Sequence, residues 1–300
     1  MSNLLKLHVL MPTFNRADLL DQTLRQVLNQ DCDESLWKLT VIDNASTDKT
    51  KEILKKYSNL NNNFEFIINP RNVGLFGNLN NCIDFAETQK FMIIHSDDSV
   101  VENFIPKALE TIKNLEDTDL IIGPSKAYLL ESNESLENWH SSELFTQGIN
   151  KIDNFQFFNS LIKGSSNFIF APSVIYDKNF FGADLRYSEN YSFTSDFDLW
   201  LKVSLKKCTI GIYTEPLIIC NIHPKRLSHL YAKTMRLEYV SICKKYLNLM
   251  NNSSNNHILS NGEILKIRIR LVVYKLIIKF NLVPGFKIRR LILKIMDKFL

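Results

Sequence analysis

Along the first 125 residues, short apolar runs alternate with stretches whose apolar positions recur every three or four residues. Leu7–Met11 is an apolar run, and Leu19–Asn29 then sets Leu19, Leu20, Thr23, Leu24, Val27 and Leu28 at helical spacing. A strand-like Leu39–Ile42, a helical Thr47–Tyr57, a strand-like Phe64–Ile68 and a helical Gly74–Glu87 follow. Phe91–Ile94, Glu102–Leu115 and Leu120–Ile122 continue the series as strand, helix and strand. Strands separated by helices predict a parallel α/β sheet, and such sheets bind ligands at the carboxyl ends of their strands.

Beyond residue 125 the pattern weakens. Glu131–Gln147 is polar and without period, which predicts a long loop or insertion. Asn167–Phe170, Ser192–Lys207, Thr209–Tyr213 and Leu217–Ile222 make a mixed second half, and Arg226–Leu249 reads as a helix. Asn251–Asn261, rich in Asn and Ser, reads as a linker.

Composition narrows the class. A chain of 300 residues with 45% hydrophobic and 23% charged positions is an ordinary globular one, with room for one large domain and an appendage or for two modest domains. Five cysteines, far apart and without CxxC spacing, argue against a disulfide framework or a zinc site and for a reducing, cytosolic compartment. The N-terminal residues lack the pattern of a signal peptide, and no stretch reaches the roughly 18 apolar residues of a spanning helix, so a soluble or peripheral protein is expected. The net charge of +4 is unevenly held: residues 261–300 carry ten Lys/Arg against two acids, which leaves the remainder negative. A nucleic-acid-binding body is therefore not expected. Glu263–Phe280 and Phe286–Leu300 mix aliphatics with Lys and Arg. Such helices lie on anionic membrane surfaces or pack on a domain with their lysines solvated.

The candidate chemistry follows the strands. After the first comes Pro12-Thr13-Phe14-Asn15-Arg16, a turn that can offer backbone groups and an aromatic face to a base or ribose. After the second comes Asp43-Asn44-Ala45-Ser46-Thr47-Asp48, where helix capping accounts for Ser46, Thr47 and Asp48 but leaves Asp43 to accept from a nucleobase N–H. After the third, Arg71 can face a diphosphate and Gly74 allows a tight turn or close backbone approach, with Asn78 and Asn80 beyond. After the fourth comes His95-Ser96-Asp97-Asp98. Two adjacent carboxylates repel unless a cation or hydrogen-bond donors share the site, and Mg²⁺ and Mn²⁺ favour such oxygen ligands beside substrate phosphates. Further on, Asp196 opens a helix, where the dipole favours the ionised carboxylate a general base needs, and His223 ends a strand.

Taken in order, these segments resemble family 2 glycosyltransferases of the GT-A fold. The pieces are Val9–Arg16, Val41–Asp48, Asn72–Gly74 with Asn80, His95–Asp98, Ser195–Trp200, and His223-Pro224 with Ser228, spanning about residues 5 to 230. The resemblance implies a Rossmann-like mixed sheet flanked by helices, with a helical C-terminal extension. Residues 1–230 would form the catalytic domain, with 1–125 as its nucleotide-sugar half and 126–230 as its acceptor half, and 231–300 the basic extension. It implies that Pro12, Thr13, Phe14, Asn15, Asp43, Asn44, Arg71, Gly74, Asn80, Ser96 and Asp97 bind the nucleotide-sugar. Asp98 and His223 would hold Mn²⁺ or Mg²⁺, and Asp196 would be the catalytic base of an inverting transfer. The implied partners are a nucleoside-diphosphate sugar and a glycan or lipid-linked glycan acceptor, as in bacterial surface-polysaccharide assembly, with residues 261–300 on the cytoplasmic face of the inner membrane. The sequence departs from the family pattern at Ser96, where the first acid of DxD usually stands, and at Ser195, where an acid usually precedes the catalytic Asp. These departures leave open a catalytically degenerate nucleotide-sugar-binding homologue. A nucleotidyltransferase is a further alternative, but no glycine-rich basic loop follows the first strand.

Overall fold

The computed structural model describes residues 5–140, 142–146, 150–163, 167–182, 185–223, 231–252, 262, 266–269 and 271. These fall into two compact units. One holds the described residues of 5–153, 168–189 and 207–223; the other holds those of 154–167, 190–206 and 231 onward.

The first unit begins as the sequence pattern predicts, with β1 (Leu7–Thr13), α1 (Ala17–Leu28), β2 (Trp37–Asp43), α2 (Thr50–Ser58), β3 (Phe64–Ile68), α3 (Leu75–Phe85) and β4 (Lys90–Ile93). Their strands are parallel and lie in the order β3-β2-β1-β4. β1 and β4 are apolar on both faces because both are covered, and Val9, Met11, Val41, Met92 and Ile94 pack with Leu20, Leu24 and Val27 of α1. His8 is the polar exception inside β1. Its Nδ1 accepts from the Glu87 amide at 3.1 Å, so Nε2 carries the proton and donates to Thr40 Oγ1 at 2.7 Å. Burial pushes its pKa down to about 3, which keeps the ring neutral. The strand order reverses between β1 and β4, and a crevice forms at such a switch point.

The unit continues with β5 (Ser99–Val100), α4 (Phe104–Asn114), β6 (Leu120–Ile122), β7 (Ser125–Leu129), β8 (Glu134–His140) and β9 (Lys151–Asp153). It ends with β10 (Val174–Asp177), β11 (Thr209–Ile212) and β12 (Ile218–Ile222). The main sheet is mixed, not wholly parallel: β10 runs antiparallel to both β4 and β6 and completes the order β3-β2-β1-β4-β10-β6-β11-β9. A second sheet has the order β5-β12-β7-β8. The expected long loop at Glu131–Gln147 is thus a hairpin for half its length. β8 pairs antiparallel with β7, Leu136 facing Ala127 in register, and Asn133 turns the chain in the left-handed region at φ 56. Its polar sequence hid the strand because β8 lies at a sheet edge.

The second unit is helical, with α5 (Asn154–Lys163), α6 (Ser195–Ser204) and α7 (Ala232–Asn252). α6 packs against α5 and α7, and the Asn154 side chain bonds the Ser204 carbonyl at 3.2 Å. α7 covers residues 232–249 of the helix read at Arg226–Leu249 and the first two residues of the expected linker, while residues 226–230 lie outside the described residues. Of the basic tail, Ile267 and Leu271 are buried one turn apart, and Arg268 reaches Asn248 of α7 at 3.4 Å. Ser228 and most of residues 261–300 lie outside the described residues. Among the described residues no helix is long and apolar enough to cross a membrane. All five cysteines are free thiols.

Candidate active site

The carboxyl ends of β1, β2 and β4 converge in the first unit. Thr13 and Asp43 are register partners at the ends of β1 and β2, and both are buried. Thr13 Oγ1 has no hydrogen-bond partner among the described residues. Asp43 accepts from the Ser46 amide at 3.1 Å and from the Ser46 hydroxyl. Burial pushes its carboxyl above the ordinary carboxylate range, with the Ser46 donors opposing. Phe14, next along, is 40% exposed and presents an aromatic face. Asn15 sits in the left-handed region at φ 48, its amide donating to Ser46 Oγ and its side chain accepting from the Thr47 amide, each at 2.8 Å. Asp48 caps two helices, one oxygen taking the Ala17 amide at 3.1 Å and the other the Thr50 amide at 3.0 Å.

Asn44 has a side chain fully engaged by protein. Its amide donates to Asn72 Oδ1 at 2.8 Å and to the Gly74 carbonyl at 3.1 Å, and its oxygen accepts from Asn69 at 3.1 Å and Val73 at 2.9 Å. All four of its side-chain positions are filled by protein, so the side chain shapes the 69–74 segment. Asn80 is similarly engaged, bonding the Tyr187 backbone at both its nitrogen (3.0 Å) and its oxygen (2.9 Å). Gly74, at φ 81, starts α3 in a conformation that L side chains rarely adopt, and Arg71 beside it is exposed.

At the end of β4 the chain turns through His95, Ser96, Asp97 and Asp98, the last three buried. Thr23 of α1 holds this turn, its hydroxyl lying 3.2 Å from the Ser96 carbonyl and 2.8 Å from that of Asp98. Asp98 accepts from the Asn221 backbone amide at 3.0 Å through one oxygen, and its other oxygen lies 3.3 Å from His95 Nδ1. Asp97 is paired with Arg16 and meets His223 Nε2 at 3.3 Å. Asn221 of β12 also donates to the Asp97 carbonyl at 3.1 Å. Ligand atoms of His95, Asp97 and Asp98 all lie within 4.8 Å of one another. Two carboxylates and an imidazole could hold a divalent cation such as Mg²⁺ or Mn²⁺. His95 is the potential ligand that sequence reasoning passed over, although it stands in the quoted motif. Arg16 and Asn221, which balance the two acids, had no sequence signal tying them to Asp97 and Asp98.

In the second unit, Asp196 lies in the first turn of α6. Its carboxylate accepts from the Asn167 side chain at 2.8 Å and the Phe197 amide at 2.7 Å. Burial pushes its pKa up to about 6, opposed by those donors. Asp198 is fully buried instead, held by Lys202 and Lys245 at 2.9 Å each and by the Tyr246 hydroxyl at 3.2 Å. That makes it a structural anchor.

A mixed sheet flanked by helices, with paired acids at the end of its fourth strand, is the GT-A arrangement of nucleotide-sugar enzymes. The description "Glycosyl transferase family 2" matches residues 8–178, and the chain belongs to that family. It is 25% identical over 292 residues to an uncharacterized glycosyltransferase of Methanocaldococcus jannaschii, covering 97% of this chain and 93% of that one. It is 33% identical over 129 residues to the poly(ribitol-phosphate) β-N-acetylglucosaminyltransferase TarP of Staphylococcus aureus, covering 39% of this chain and 36% of that one. Its fold is similar to that of S. aureus TarS 1–349 solved with UDP-GlcNAc, at a TM-score of 0.64 and 17% identity over 90% of this chain and 72% of that one.

Proposed function

We propose that this glycosyltransferase takes a sugar from a nucleoside-diphosphate donor bound at the carboxyl edge of β1, β2 and β4, and delivers it with inversion to a glycan hydroxyl. The observation that carries this reading is the buried Asp97–Asp98 pair beside His95 at the end of β4. Thr13, Phe14 and Asp43 take the nucleoside, and Arg71 and Gly74 line the diphosphate, while Asn44 and Asn80 act through the backbones they hold. His95, Asp97 and Asp98 hold a divalent cation, with His223 and Arg16 orienting Asp97. That cation supplies positive charge where the nucleoside diphosphate leaves. Asp196 accepts the acceptor hydroxyl's proton. With a pKa near 6 it is ionised at neutral pH and more basic than an ordinary aspartate.

The acceptor we infer is a surface polymer or its lipid-linked precursor. Two features support it: a relative whose substrate is poly(ribitol-phosphate), and the basic, aliphatic residues 261–300, which would meet the cytoplasmic face of the inner membrane.

Thermal shift with UDP, GDP, their sugars and Mn²⁺, Mg²⁺ or EDTA tests the donor site. A metal-dependent stabilisation by one nucleotide class is expected, about 2.7 kcal/mol at a hundredfold excess over Kd. Folded protein that responds to no nucleotide would instead indicate a homologue that has lost the donor site.

A further inference from the structure

Helix α7 meets the segment around Asp196 at heptad intervals. Tyr231, one residue before the helix, stacks on Phe193 with ring centroids 4.4 Å apart. Seven residues on, Glu238 accepts from the Ser192 amide at 2.7 Å, the Phe193 amide at 3.0 Å and the Thr194 hydroxyl at 2.9 Å. Seven further, Lys245 pairs with Asp198 at 2.9 Å. Residues seven apart share a helix face, so one stripe of α7 follows the chain from Phe193 to Asp198. The neighbouring stripe adds Tyr239 stacked on Phe197 at 4.3 Å and the Tyr246 hydroxyl on Asp198 at 3.2 Å.

The contacts bracket Asp196 without touching it. A helix start leaves backbone N–H groups unsatisfied, and a Thr at the N-cap ordinarily takes one of them. Thr194 is the N-cap of α6 but makes no such bond among the described residues; its hydroxyl is turned to donate to Glu238. One carboxylate from another helix therefore gathers three donors immediately before the base, and charge-assisted bonds of this kind are short and directional. Downstream, Asp198 is clamped from the same helix. The carboxylate of Asp196 is left to Asn167 and the Phe197 amide, in a setting dry enough to raise its pKa.

We propose that Glu238 is a positioning residue, which fixes the turn at the start of α6 so that the Asp196 carboxylate is held aimed and poorly hydrated. This rests on Asp196 as the base. The charged and titratable groups around the turn are Asp198 and Lys202 on α6, Tyr191 before it, and Glu238, Lys245 and Tyr246 on α7. Glu238 holds the backbone before Asp196, while the Tyr246 hydroxyl lies 3.2 Å from the Asp198 carbonyl beyond it. Loosening residues 192–194 admits water to Asp196, which returns its pKa toward the ordinary value of about 4 and blurs its aim.

Carbon-13 carboxyl labelling of aspartate would follow the Asp196 titration in the full-length protein, in Glu238→Ala and in Glu238→Gln, with transfer kinetics on the same samples. In Glu238→Ala we expect a lower Asp196 midpoint, kcat reduced about 10–100-fold and an unchanged donor KM. Glu238→Gln, which keeps one acceptor oxygen, should lie between and serves if the alanine variant does not fold. An Asp196 midpoint or a kcat unchanged in a folded variant overturns the proposal. If Asp196→Asn itself kept normal turnover, the base assignment would fall, and the midpoint alone would decide whether Glu238 fixes the turn.

Discussion

Asp196 couples two opposite demands on one carboxyl. Burial raises its pKa from 3.8 to about 6, so the folded chain binds a proton there more tightly than the unfolded chain does. The stabilising, protonated state is complete below pH 3.8 and is lost as pH rises through 6. At pH 7.5 the fold therefore carries an ionised, desolvated group at a cost of about 1–2 kcal/mol after discounting for its partial exposure. Asp196→Asn should consequently be more stable than wild type at pH 7.5 and equal to it near pH 4, read as urea midpoints. Its turnover should fall about 10²–10⁴-fold, and wild-type transfer should decline below pH 6. Asn44 makes the contrasting case. Asn44→Ala strips partners from Asn69, Asn72, Val73 and Gly74, which should lower stability by roughly 2–4 kcal/mol and weaken nucleotide binding measured by calorimetry. Asp97 and Asp98 stand out in the sequence as adjacent acids directly after an apolar strand, whereas Asp196 sits at a helix start, an ordinary place for an acid, and is singled out only through the family resemblance. The engagement of Asn44 was not legible, since all four partners arrive from a loop more than 20 residues downstream.

Among the elements, β1 to β4 were readable because parallel strands covered on both faces are unbroken apolar runs between helices. β10 escaped notice: Val174–Asp177 has four residues, too few for any period, and follows a short helical turn containing Pro172. β7 and β8 escaped because an edge hairpin carries polar residues. The neutral His8 inside β1 has a consequence at this scale. Its folded pKa of about 3 lies below the unfolded 6.5, so its contribution is fully present above 6.5 and is lost as pH falls toward 3. The loss should reach roughly 3–5 kcal/mol, because the unfolded chain takes up a proton that the buried ring does not. Denaturant midpoints between pH 7 and 4 should fall steeply in wild type and more gently in His8→Asn.

For the molecule as a whole, Asp97 and Asp98 belong to the sheet unit and Asp196 to the helical unit. The described residues of the 261–300 segment belong with the latter, and Ile267 and Leu271 among them are buried. Truncation after Ser260 should thus expose apolar surface on the helical unit and lower the melting temperature by several degrees, since about 1 kcal/mol shifts Tm by about 2–4 °C in a protein of this size. If the tail also docks on membrane, the same truncation should abolish co-sedimentation with anionic vesicles; equal sedimentation of both forms would remove that role. The antiparallel β10 also bears on how the protein is made. β4 and β6 are synthesised some 80 and 50 residues before the strand that joins them. Until Asp177 leaves the ribosome, the nascent sheet presents the bare flank of Lys90–Ile93, a row of unpaired amides and carbonyls open to any passing strand. Chains stalled between residues 125 and 173 should be the ones that chaperones retain, and release should coincide with the arrival of Val174–Asp177.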